Sequence, residues 1–453
     1  MTDSRLSGVD HAWLRMDSPV NPMVITGFFA FDAPLDPERL RAVVADRLLA
    51  FPRFAQRVVD EGSSHRWQDV EVDLDRHILH DRIPEPADDA AFQDFVGELI
   101  TRRLDPERPL WRMTVLENHP RGSALFFHFH HALADGVALM KVLLSLCDRE
   151  GEPMRTGSAG AGTLGGGLLR QVRGLLRSPQ QDASAAIEAA KGLLSGGLDL
   201  IAHPSHALHA IEGGAPWAGA LQRLTTLPPD PHTLLKRPLE GRKQAVWSAP
   251  MPLSELKAVG RRHGVTLNDV VLTALVGGLR ETMRDQHVPP DAVRAMIPVN
   301  LRPPGGPPRL GNYFGFAIPS LPVGQADRLA RLHGVRAEMA RIKDSVEPAI
   351  SFALLQALGL AGPGVEERVL RFFGAKSSLV MTNVPGPAER LDLAGESIAE
   401  MMFWVPQGGD LGLGLSVLSY AGHVRVGVVA DRGVLPDPGA LLARVEDELR
   451  ALA

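Results

Sequence analysis

The chain has 453 residues, which is too long for one ordinary hydrophobic core, so we expect two domains. Apolar residues make up 45% and charged residues 22% of the sequence, a composition typical of a soluble globular protein. The formal net charge is −5 and basic residues form no concentrated run, so we expect no nucleic-acid partner.

Residues 1–150 alternate between strand-like and helix-like segments. Residues 24–31 are rich in β-branched and aromatic side chains and predict a strand. Residues 35–50 carry apolar side chains near helical spacing and predict a helix. The same patterns predict further strands at 113–117 and 124–130, and further helices at 91–103 and 137–146.

Residues 151–240 differ in composition from what precedes them. The glycine-rich run 157–167 lacks the Lys-Ser/Thr of a phosphate-binding loop and predicts a flexible linker. Residues 168–176 combine apolar positions with regularly spaced arginines, which predicts a short basic amphipathic helix. Two interpretations of that helix stay open: it packs against its own domain, or it contacts a membrane or lipid-droplet surface.

A second alternating series begins near residue 241. Helices are predicted at 254–263, 267–285 and 436–452, and strands at 295–299, 314–320, 379–382, 412–420 and 423–430. The whole pattern predicts the α/β (α+β) class. The predicted order is an N-terminal domain at 1–150, a linker or crossover with amphipathic helices at 151–240, and a C-terminal domain at 241–453.

The cysteine content and the apolar runs of the sequence indicate the cellular compartment in which we expect the protein. Cys147 is the single cysteine and cannot form an intramolecular disulfide, so a reducing compartment such as the cytoplasm fits best. The first residues lack the apolar stretch of a signal peptide, and no uncharged apolar run reaches the roughly 18 residues of a membrane span. A peripheral contact with the inner membrane or with lipid inclusions stays open.

The segment Leu-Phe-Phe-His-Phe-His-His, ending at residue 131, carries the most chemical information. Its alternation predicts a strand on which His128 and His130 share one face, whereas His131 falls on the other face where the strand ends. Strand ends are favoured sites for reactive groups. Imidazole is largely neutral at neutral pH, so His131 can accept a proton from a hydroxyl that attacks a carbonyl.

Asp135 and Gly136, which follow the histidines in the sequence, predict a turn that is held in place by side-chain contacts. Asp135 can hold the loop through backbone bonds or an ion pair, and Gly136 permits a backbone geometry that a Cβ would hinder. Three histidines and one aspartate in eight residues also suit a metal, and a histidine beside a core strand is often structural. Because His130 and His131 point to opposite faces, we expect no metal site. On these residues alone, structural packing and acid–base catalysis both stay open, and our choice of acid–base catalysis rests largely on the family resemblance of the motif.

The motif His-His-xxx-Asp-Gly, from His130 to Gly136, resembles the signature of the CoA-dependent acyltransferase superfamily, which includes chloramphenicol acetyltransferase-like enzymes and peptide-synthetase condensation domains. Other segments resemble blocks of the bacterial wax ester synthase/diacylglycerol acyltransferase (WS/DGAT) family. These segments are Pro109-Leu110-Trp111, Asn268-Asp269, 298–302, Gly311-Asn312, 382–387 and 419–422. The chain departs from the family at Val24, where a histidine is usual, and at Thr382, where a serine is usual.

The resemblance implies two chloramphenicol-acetyltransferase-like domains with mixed sheets and an active-site tunnel at their interface. One end of the tunnel would admit acyl-CoA, and the other would admit a long-chain alcohol or diacylglycerol. The implied products are wax esters, triacylglycerol or both. Acyl-CoA is then a substrate, and no cofactor is expected. Cys147 has no recognisable activating partner in the sequence, so we expect no covalent acyl-enzyme.

The resemblance also implies residue roles. His131 would be the general base, and His130 and Gly136 would belong to the same catalytic motif. Asp135 would brace the loop, with Arg302 either as its ion-pair partner or solvated.

Asn268 would donate a hydrogen bond to the developing oxyanion. Thr266 and Asp269 fit a capping-box variant at a helix start, and both interpretations of this segment can hold together. The remaining matched residues would shape the tunnel or form a rigid turn at its mouth: Pro109, Leu110, Trp111 and Asn383.

Two rival functions stay open at this point. The acceptor of the same chemistry could be a polyketide, a sugar or a small alcohol. Alternatively, the chain could be a non-catalytic lipid-binding protein. The intact His131 and Asp135 argue against the non-catalytic alternative, because lipid binding alone requires neither residue.

Overall fold

The computed structural model describes residues 4–62, 64–149, 152–153, 220, 222–224, 226–285, 290–302, 310–358, 371 and 374–453. The predicted linker at 157–167 and the predicted amphipathic helix at 168–176 lie outside the described residues. Within these ranges, no helix is long and apolar enough to cross a membrane.

Strands and helices alternate through most of the described chain. The strands are β1 (Ser4–Arg5), β2 (Val24–Phe31), β3 (Gln56–Asp60), β4 (His65–Asp69), β5 (Ile78–Arg82), β6 (Trp111–His119), β7 (Gly122–His130), β8 (Asp148–Arg149), β9 (Glu152–Pro153), β10 (Lys243–Trp247), β11 (Met251–Pro252), β12 (Val293–Asn300), β13 (Phe314–Ala317), β14 (Ser320–Leu321), β15 (Leu379–Pro385), β16 (Asp392–Leu393), β17 (Glu396–Trp404), β18 (Leu413–Tyr420) and β19 (His423–Asp431). The α-helices are α1 (Gly8–Met16), α2 (Pro37–Val43), α3 (Asp89–Thr101), α4 (Gly136–Leu146), α5 (Leu253–His263), α6 (Leu267–Arg284), α7 (Arg328–Lys343), α8 (Glu347–Leu358) and α9 (Pro438–Leu452). Short turns of 3₁₀ or π type lie at Val44–Leu48, Pro52–Ala55, Leu74–Arg76 and Leu234–Lys236.

The first large sheet has the strand order β5-β6-β7-β2-β17-β16-β8-β9. It is mixed, because β5 and β6 are parallel while β7 and β17 both run antiparallel to β2. All residues of β2 are buried, since its valine, isoleucine and phenylalanine side chains are covered on both faces. This central position places the end of β7, and therefore the histidine motif, deep in the protein.

The second large sheet has the strand order β10-β19-β18-β15-β12-β13, with β11 beside β19 and β14 beside β12. It is also mixed, because β15 is parallel to β12 and β18 whereas β18 and β19 are antiparallel. Helices α6 and α9 share its hydrophobic core. They approach closely at Gly278, where an added Cβ would lie 2.7 Å from the Val445 side chain.

Helix α1 is held between a small sheet and helix α8. The small sheet has the order β1-β4-β3, and His11 of α1 contacts His65 of β4 with 2.7 Å between ring nitrogens. On the other side, an added Cβ at Gly8 would lie 2.2 Å from the Gln356 carbonyl oxygen, so only glycine allows this approach to α8. These contacts fix the helix that carries Asp10 and Trp13.

The two halves of the chain share one sheet. Strand β17 follows the second-sheet strand β15 in sequence, yet it pairs with β2 of the first sheet from Ile398 to Trp404. The first hydrophobic core likewise includes Trp247 and Phe314 from the C-terminal half. The domain bounds 1–150, 151–240 and 241–453 stay predictions, but β16 and β17 belong to the first sheet.

The predicted α/β class with mixed sheets is confirmed, and the predicted elements outside 151–240 are found with shifted ends. Two of them differ in form. The helix predicted at 35–50 changes from α to π geometry at Val44. The strand predicted at 314–320 is broken between β13 and β14 at Pro319, which cannot donate a ladder hydrogen bond. Helices α1, α7 and α8 were not predicted, and neither were strands β3, β4, β5, β10 and β17 or the two-residue strands β1, β8, β9, β11 and β16.

Candidate active site

His131 lies between the end of β7 and the start of α4, as predicted. Its backbone N–H donates to the Met23 carbonyl at 2.8 Å, which ties it to the chain entering β2. The chain then turns into α4, where Asp135 is the N-cap. Only 5% of His131 is exposed, so its imidazole is enclosed by protein.

Polar and aromatic contacts fix the His131 ring. Its Nδ1 lies 2.9 Å from the side-chain oxygen of Asn312. One face stacks on Trp13, with 4.0 Å between ring centroids and 19° between ring planes. Phe314 closes the arrangement at a centroid distance of 5.4 Å. The ring therefore has a defined plane and a defined partner on one nitrogen.

Burial determines the protonation state of His131. Desolvation disfavours the charged form and lowers the pKa of His131 to about 4, and the charge of Asp135 offsets only part of this effect. The imidazole is therefore neutral at neutral pH and keeps a lone pair on one ring nitrogen. That is the state a general base needs.

His130 has different partners from its neighbour. Its Nδ1 accepts a hydrogen bond from the Ala132 N–H at 3.1 Å, and its Nε2 lies 3.9 Å from the Asp17 carboxylate. Its backbone N–H donates to the Leu110 carbonyl at 3.0 Å. These contacts make His130 a support for the turn that carries His131.

The three histidines of the motif do not share a site. His128 contacts the Leu99 carbonyl at 2.7 Å through Nε2, whereas His130 and His131 contact the partners given above. Within the described ranges, no three metal-binding side chains are grouped together.

Asp135 connects three chain segments. Its Oδ1 accepts from the Ala138 N–H at 3.1 Å, as an N-cap does. Its Oδ2 accepts from Arg302 Nη1 at 2.5 Å and from the Tyr313 N–H at 2.9 Å. Arg302 also donates to the Gly311 carbonyl at 2.6 Å. The ion pair between Asp135 and Arg302, one of the two alternatives left open by the sequence, is present, and both side chains are largely buried.

The steric prediction for Gly136 is wrong. Gly136 is the first residue of α4, its φ is not in the left-handed region, and an added Cβ would meet no atom within 4 Å. The helix begins there because Asp135 caps it, so glycine is not required by the backbone. What Gly136 provides is open space at the start of α4.

Asn268 and Asn383 contact each other. The Asn383 amide donates to the Asn268 side-chain oxygen at 3.0 Å. The predicted capping box is confirmed, since Thr266 and Asp269 exchange side-chain-to-backbone hydrogen bonds at the start of α6. Asn383 was predicted in a turn, but it lies within β15, because that strand stays paired with β18 as far as Pro385.

The segment Pro109-Leu110-Trp111 packs inside the first core. Trp111 is 1% exposed, its indole N–H donates to the Phe54 carbonyl at 2.8 Å, and its ring stacks on His77 at 4.4 Å. The Leu110 carbonyl accepts from the His130 N–H. The segment therefore supports the end of β7 rather than presenting a reactive group.

Replacing Trp111 with phenylalanine should lower the free energy of unfolding by about 1–3 kcal/mol, because the buried Phe54 carbonyl loses its donor. Urea unfolding measures this change. Trp404→Phe is the matched control: Trp404 is equally buried, but its indole N–H has no hydrogen-bond partner among the described residues. An equal loss in both variants would mean that ring volume, and not the hydrogen bond, accounts for the effect.

Three residues around His131 were not predicted to have a role. Asn312 donates to the His131 carbonyl at 2.8 Å and to Asp10 Oδ1 at 2.7 Å, and Asp10 also lies 3.7 Å from Arg53. Trp13 covers the imidazole face. Asn312 belongs to the segment Gly311-Asn312, which resembles a block of the family. Its position along the chain, however, does not indicate that it contacts the histidine motif.

Comparisons with known proteins agree over most of the chain. Residues 6–271 match the wax ester synthase/diacylglycerol acyltransferase catalytic domain, and residues 310–453 match the WS/DGAT C-terminal domain. The probable diacylglycerol O-acyltransferase tgs1 of Mycobacterium tuberculosis is 27% identical over 430 residues, covering 92% of this chain and 88% of that protein. The probable diacylglycerol O-acyltransferase tgs2 of the same organism is 27% identical over 472 residues, covering 98% and 97%.

Solved structures share the fold. The wax ester synthase/diacylglycerol acyltransferase from Marinobacter aquaeolei VT8 superposes with a TM-score of 0.68 at 20% identity, covering 99% of this chain and 98% of that one. A starter condensation domain of rhizomide synthetase superposes with a TM-score of 0.60 at 15% identity, covering 100% and 94%. The predicted fold is confirmed, and so is the resemblance found in the sequence: this chain belongs to the wax ester synthase/diacylglycerol acyltransferase family of acyltransferases.

Proposed function

We propose that this protein transfers a fatty acyl group from acyl-CoA to the hydroxyl of a long-chain alcohol or diacylglycerol, with His131 as general base. The observation that carries the proposal is a buried, neutral imidazole held at a strand end inside the His-His-xxx-Asp-Gly motif. Family membership supports the acyl donor and the lipid acceptor. The products are wax esters, triacylglycerol or both.

The reaction balances without any other reactant. His131 takes the proton from the acceptor hydroxyl as that oxygen attacks the thioester carbonyl carbon, and a C–O bond forms. The tetrahedral intermediate then collapses, the C–S bond breaks, and the CoA thiolate takes the proton back from His131. The products are an ester and free CoA. The chemistry moves one proton and one acyl group and changes no oxidation state, so it needs no redox cofactor, and we propose no metal.

Direct transfer fits the state of the cysteine. Cys147 is buried, its thiol lies 3.4 Å from the Leu143 carbonyl, and burial raises the pKa of the thiol. A thiol in that state is a poor nucleophile, because the thiolate is the reactive form. We therefore propose no acyl-cysteine intermediate.

Asn268 is our proposed oxyanion donor. Asn383 donates to its side-chain oxygen, and in this arrangement the Asn268 NH₂ group is left to donate elsewhere. A preorganised amide of this kind stabilises charge that develops on the carbonyl oxygen. The open space at Gly136 gives room for reactants near the start of α4, within the tunnel that we propose between the two sheets.

The acceptor determines where such an enzyme works. Long-chain alcohols and diacylglycerols partition into lipid phases, so the protein must collect them from a membrane or an inclusion surface. We propose a cytoplasmic protein that makes peripheral contact with such a surface.

The test is CoA release from palmitoyl-CoA by the purified full chain with hexadecanol, a diacylglycerol or no acceptor. Release that depends on a lipid alcohol supports the proposal, and the preferred acceptor identifies the product class. Release that appears only with a sugar or small alcohol, or no release from folded protein, contradicts it.

The low pKa of His131 predicts the acid side of the rate profile. A base with a pKa of about 4 is neutral across the neutral range, so kcat/KM should stay constant between pH 6 and pH 8 and should fall only as the pH approaches 4. Measuring kcat/KM, which reports the pKa of the free enzyme, with circular dichroism at each pH, checks this. A fall in kcat/KM centred near pH 6.5 in folded protein would indicate an ordinary exposed imidazole and contradict the enclosed site.

A further inference from the structure

Asn312 contacts both the ring and the backbone of His131, and this arrangement bears on the proposed base. We propose that Asn312 is a positioning residue that holds His131 in the Nδ1–H tautomer, so that Nε2 is the nitrogen that takes the acceptor's proton. The inference rests on the proposed function of His131. It assigns a role to a residue in the C-terminal half of the chain, 181 positions from the histidine.

The orientation of the Asn312 amide follows from its surroundings. The nitrogen Nδ2 lies 2.7 Å from Asp10 Oδ1 and 2.8 Å from the His131 carbonyl oxygen. Both partners are acceptors, so the NH₂ group must face them. A reversed amide would set its oxygen against two other oxygens in a buried place, at the cost of two hydrogen bonds. The oxygen Oδ1 therefore faces the imidazole.

That orientation determines the tautomer. Asn312 Oδ1 can only accept a hydrogen bond, and it lies 2.9 Å from His131 Nδ1. A neutral imidazole carries one proton, so the proton sits on Nδ1 and the lone pair sits on Nε2. The same bond persists when Nε2 becomes protonated during the reaction, so Asn312 supports both states of the base.

His130 provides an internal contrast. Its Nδ1 accepts from the Ala132 N–H, so its proton lies on Nε2 and faces Asp17. Two adjacent buried histidines therefore hold opposite tautomers, each fixed by a different partner. The tautomer of His131 follows from the acceptors at its ring, which are Asn312 Oδ1 and the carbonyl oxygen of His131 itself, and is not a general feature of this turn.

Asp135 holds Asn312 in place from both sides. The preceding residue, Gly311, accepts from Arg302 and from the Asp135 N–H, and the following residue, Tyr313, donates to the Asp135 carboxylate. Gly311 has a φ of 109°, a conformation that favours glycine. The Asp135–Arg302 ion pair thus positions Asn312, and through Asn312 it affects the tautomer of His131.

The test is a long-range ¹H–¹⁵N NMR correlation on the full chain labelled with ¹⁵N-imidazole histidine, with His131 assigned by its loss in His131→Ala. The wild type should show a protonated Nδ1 and an unprotonated Nε2 at residue 131. Asn312→Ala should shift most of the population, about 90–99%, to the Nε2–H form. It should lower kcat about 10- to 100-fold, as a 1–10% competent population requires, with little change in KM for acyl-CoA.

Two further variants separate this role from simple packing. In Asn312→Asp, the new carboxyl group shares a proton with Asp10 and keeps an acceptor facing Nδ1, so the tautomer should be retained. Asn21→Ala is the matched control, because Asn21 is also buried and bonds Gly409, Leu411 and Lys243 across the chain. It should lower stability and leave the His131 tautomer unchanged.

The outcomes of these experiments distinguish a failure of the positioning role of Asn312 from a failure of the proposed function. An Nε2–H tautomer in the wild type overturns it, even if Asn312→Ala does not fold. An unchanged tautomer in folded Asn312→Ala also overturns it, and would show that other groups hold the ring. If the tautomer depends on Asn312 but the wild type transfers no acyl group, the positioning stands and the proposed function fails.

Discussion

Replacing His131 with alanine should lower kcat for acyl transfer by about 10²- to 10⁴-fold, because the acceptor hydroxyl loses the group that takes its proton. The acyl-CoA dissociation constant should change little, since His131 is proposed to act on the acceptor hydroxyl. The buried ring is replaced by a cavity beside Trp13 and Phe314, so some loss of stability is expected as well. Steady-state CoA release and circular dichroism of the same preparation measure both effects.

The control must separate lost chemistry from lost packing. His128 is fully buried in the same motif, and burial lowers its pKa to about 3, but it contacts the Leu99 carbonyl and no residue of the site. His128→Ala should therefore lower stability while folded molecules keep near-normal kcat. If the two alanine variants lose activity in equal measure, or if His131→Ala turns over normally, His131 is not the base.

The elements that carry the histidine motif were the easiest to predict, because each has a local pattern in the sequence. Strand β7 alternates aromatic and histidine residues, and α4 begins directly after an N-cap aspartate. Helix α7 was missed although its buried Leu332, Val335 and Met339 follow helical spacing, because Arg331 and several other arginines lie among them in the sequence. Its signal was present and weak.

Pairing between strands that are far apart in the sequence could not be predicted from local patterns. Strand β17 is an apolar run that reads as a strand once its place is known, but nothing local says that it pairs with β2, more than 360 residues earlier. That pairing arises from the packing of both halves around one core. A single sequence contains no separate record of such a contact.

The residues of the candidate site also divide into those that a local pattern indicates and those that only the three-dimensional structure brings together. His131 and Asp135 came from one continuous motif, whereas for Arg302 the sequence left two alternatives, an ion pair with Asp135 or a solvated side chain. Asn312 and Asp10 act through hydrogen bonds that are specific only in three dimensions. Residue type and spacing along the chain do not distinguish them from other asparagines and aspartates.

Replacing Asp135 with asparagine should lower the free energy of unfolding by about 3–5 kcal/mol, because it removes one partner of a largely buried ion pair. Asparagine is a good N-cap, so the hydrogen bond to the Ala138 N–H is retained and the loss isolates the charge. Urea unfolding measures the change. The Asp135 charge raises the pKa of His131, so its removal lowers that pKa further below the neutral range, and kcat between pH 6 and pH 8 should show no new titration.

Asp88→Asn is the matched control for this charge effect. Asp88 caps α3 through the Ala91 N–H at 2.8 Å, as Asp135 caps α4, but it is exposed and has no ion pair among the described residues. Its replacement should change stability by less than about 0.5 kcal/mol. Arg302→Leu combined with Asp135→Asn should recover part of the loss, because no buried charge is then left without its carboxylate partner. An Asp135→Asn protein with unchanged unfolding and a shifted pH optimum would make Asp135 a participant in proton transfer instead of the brace that the ion pair indicates.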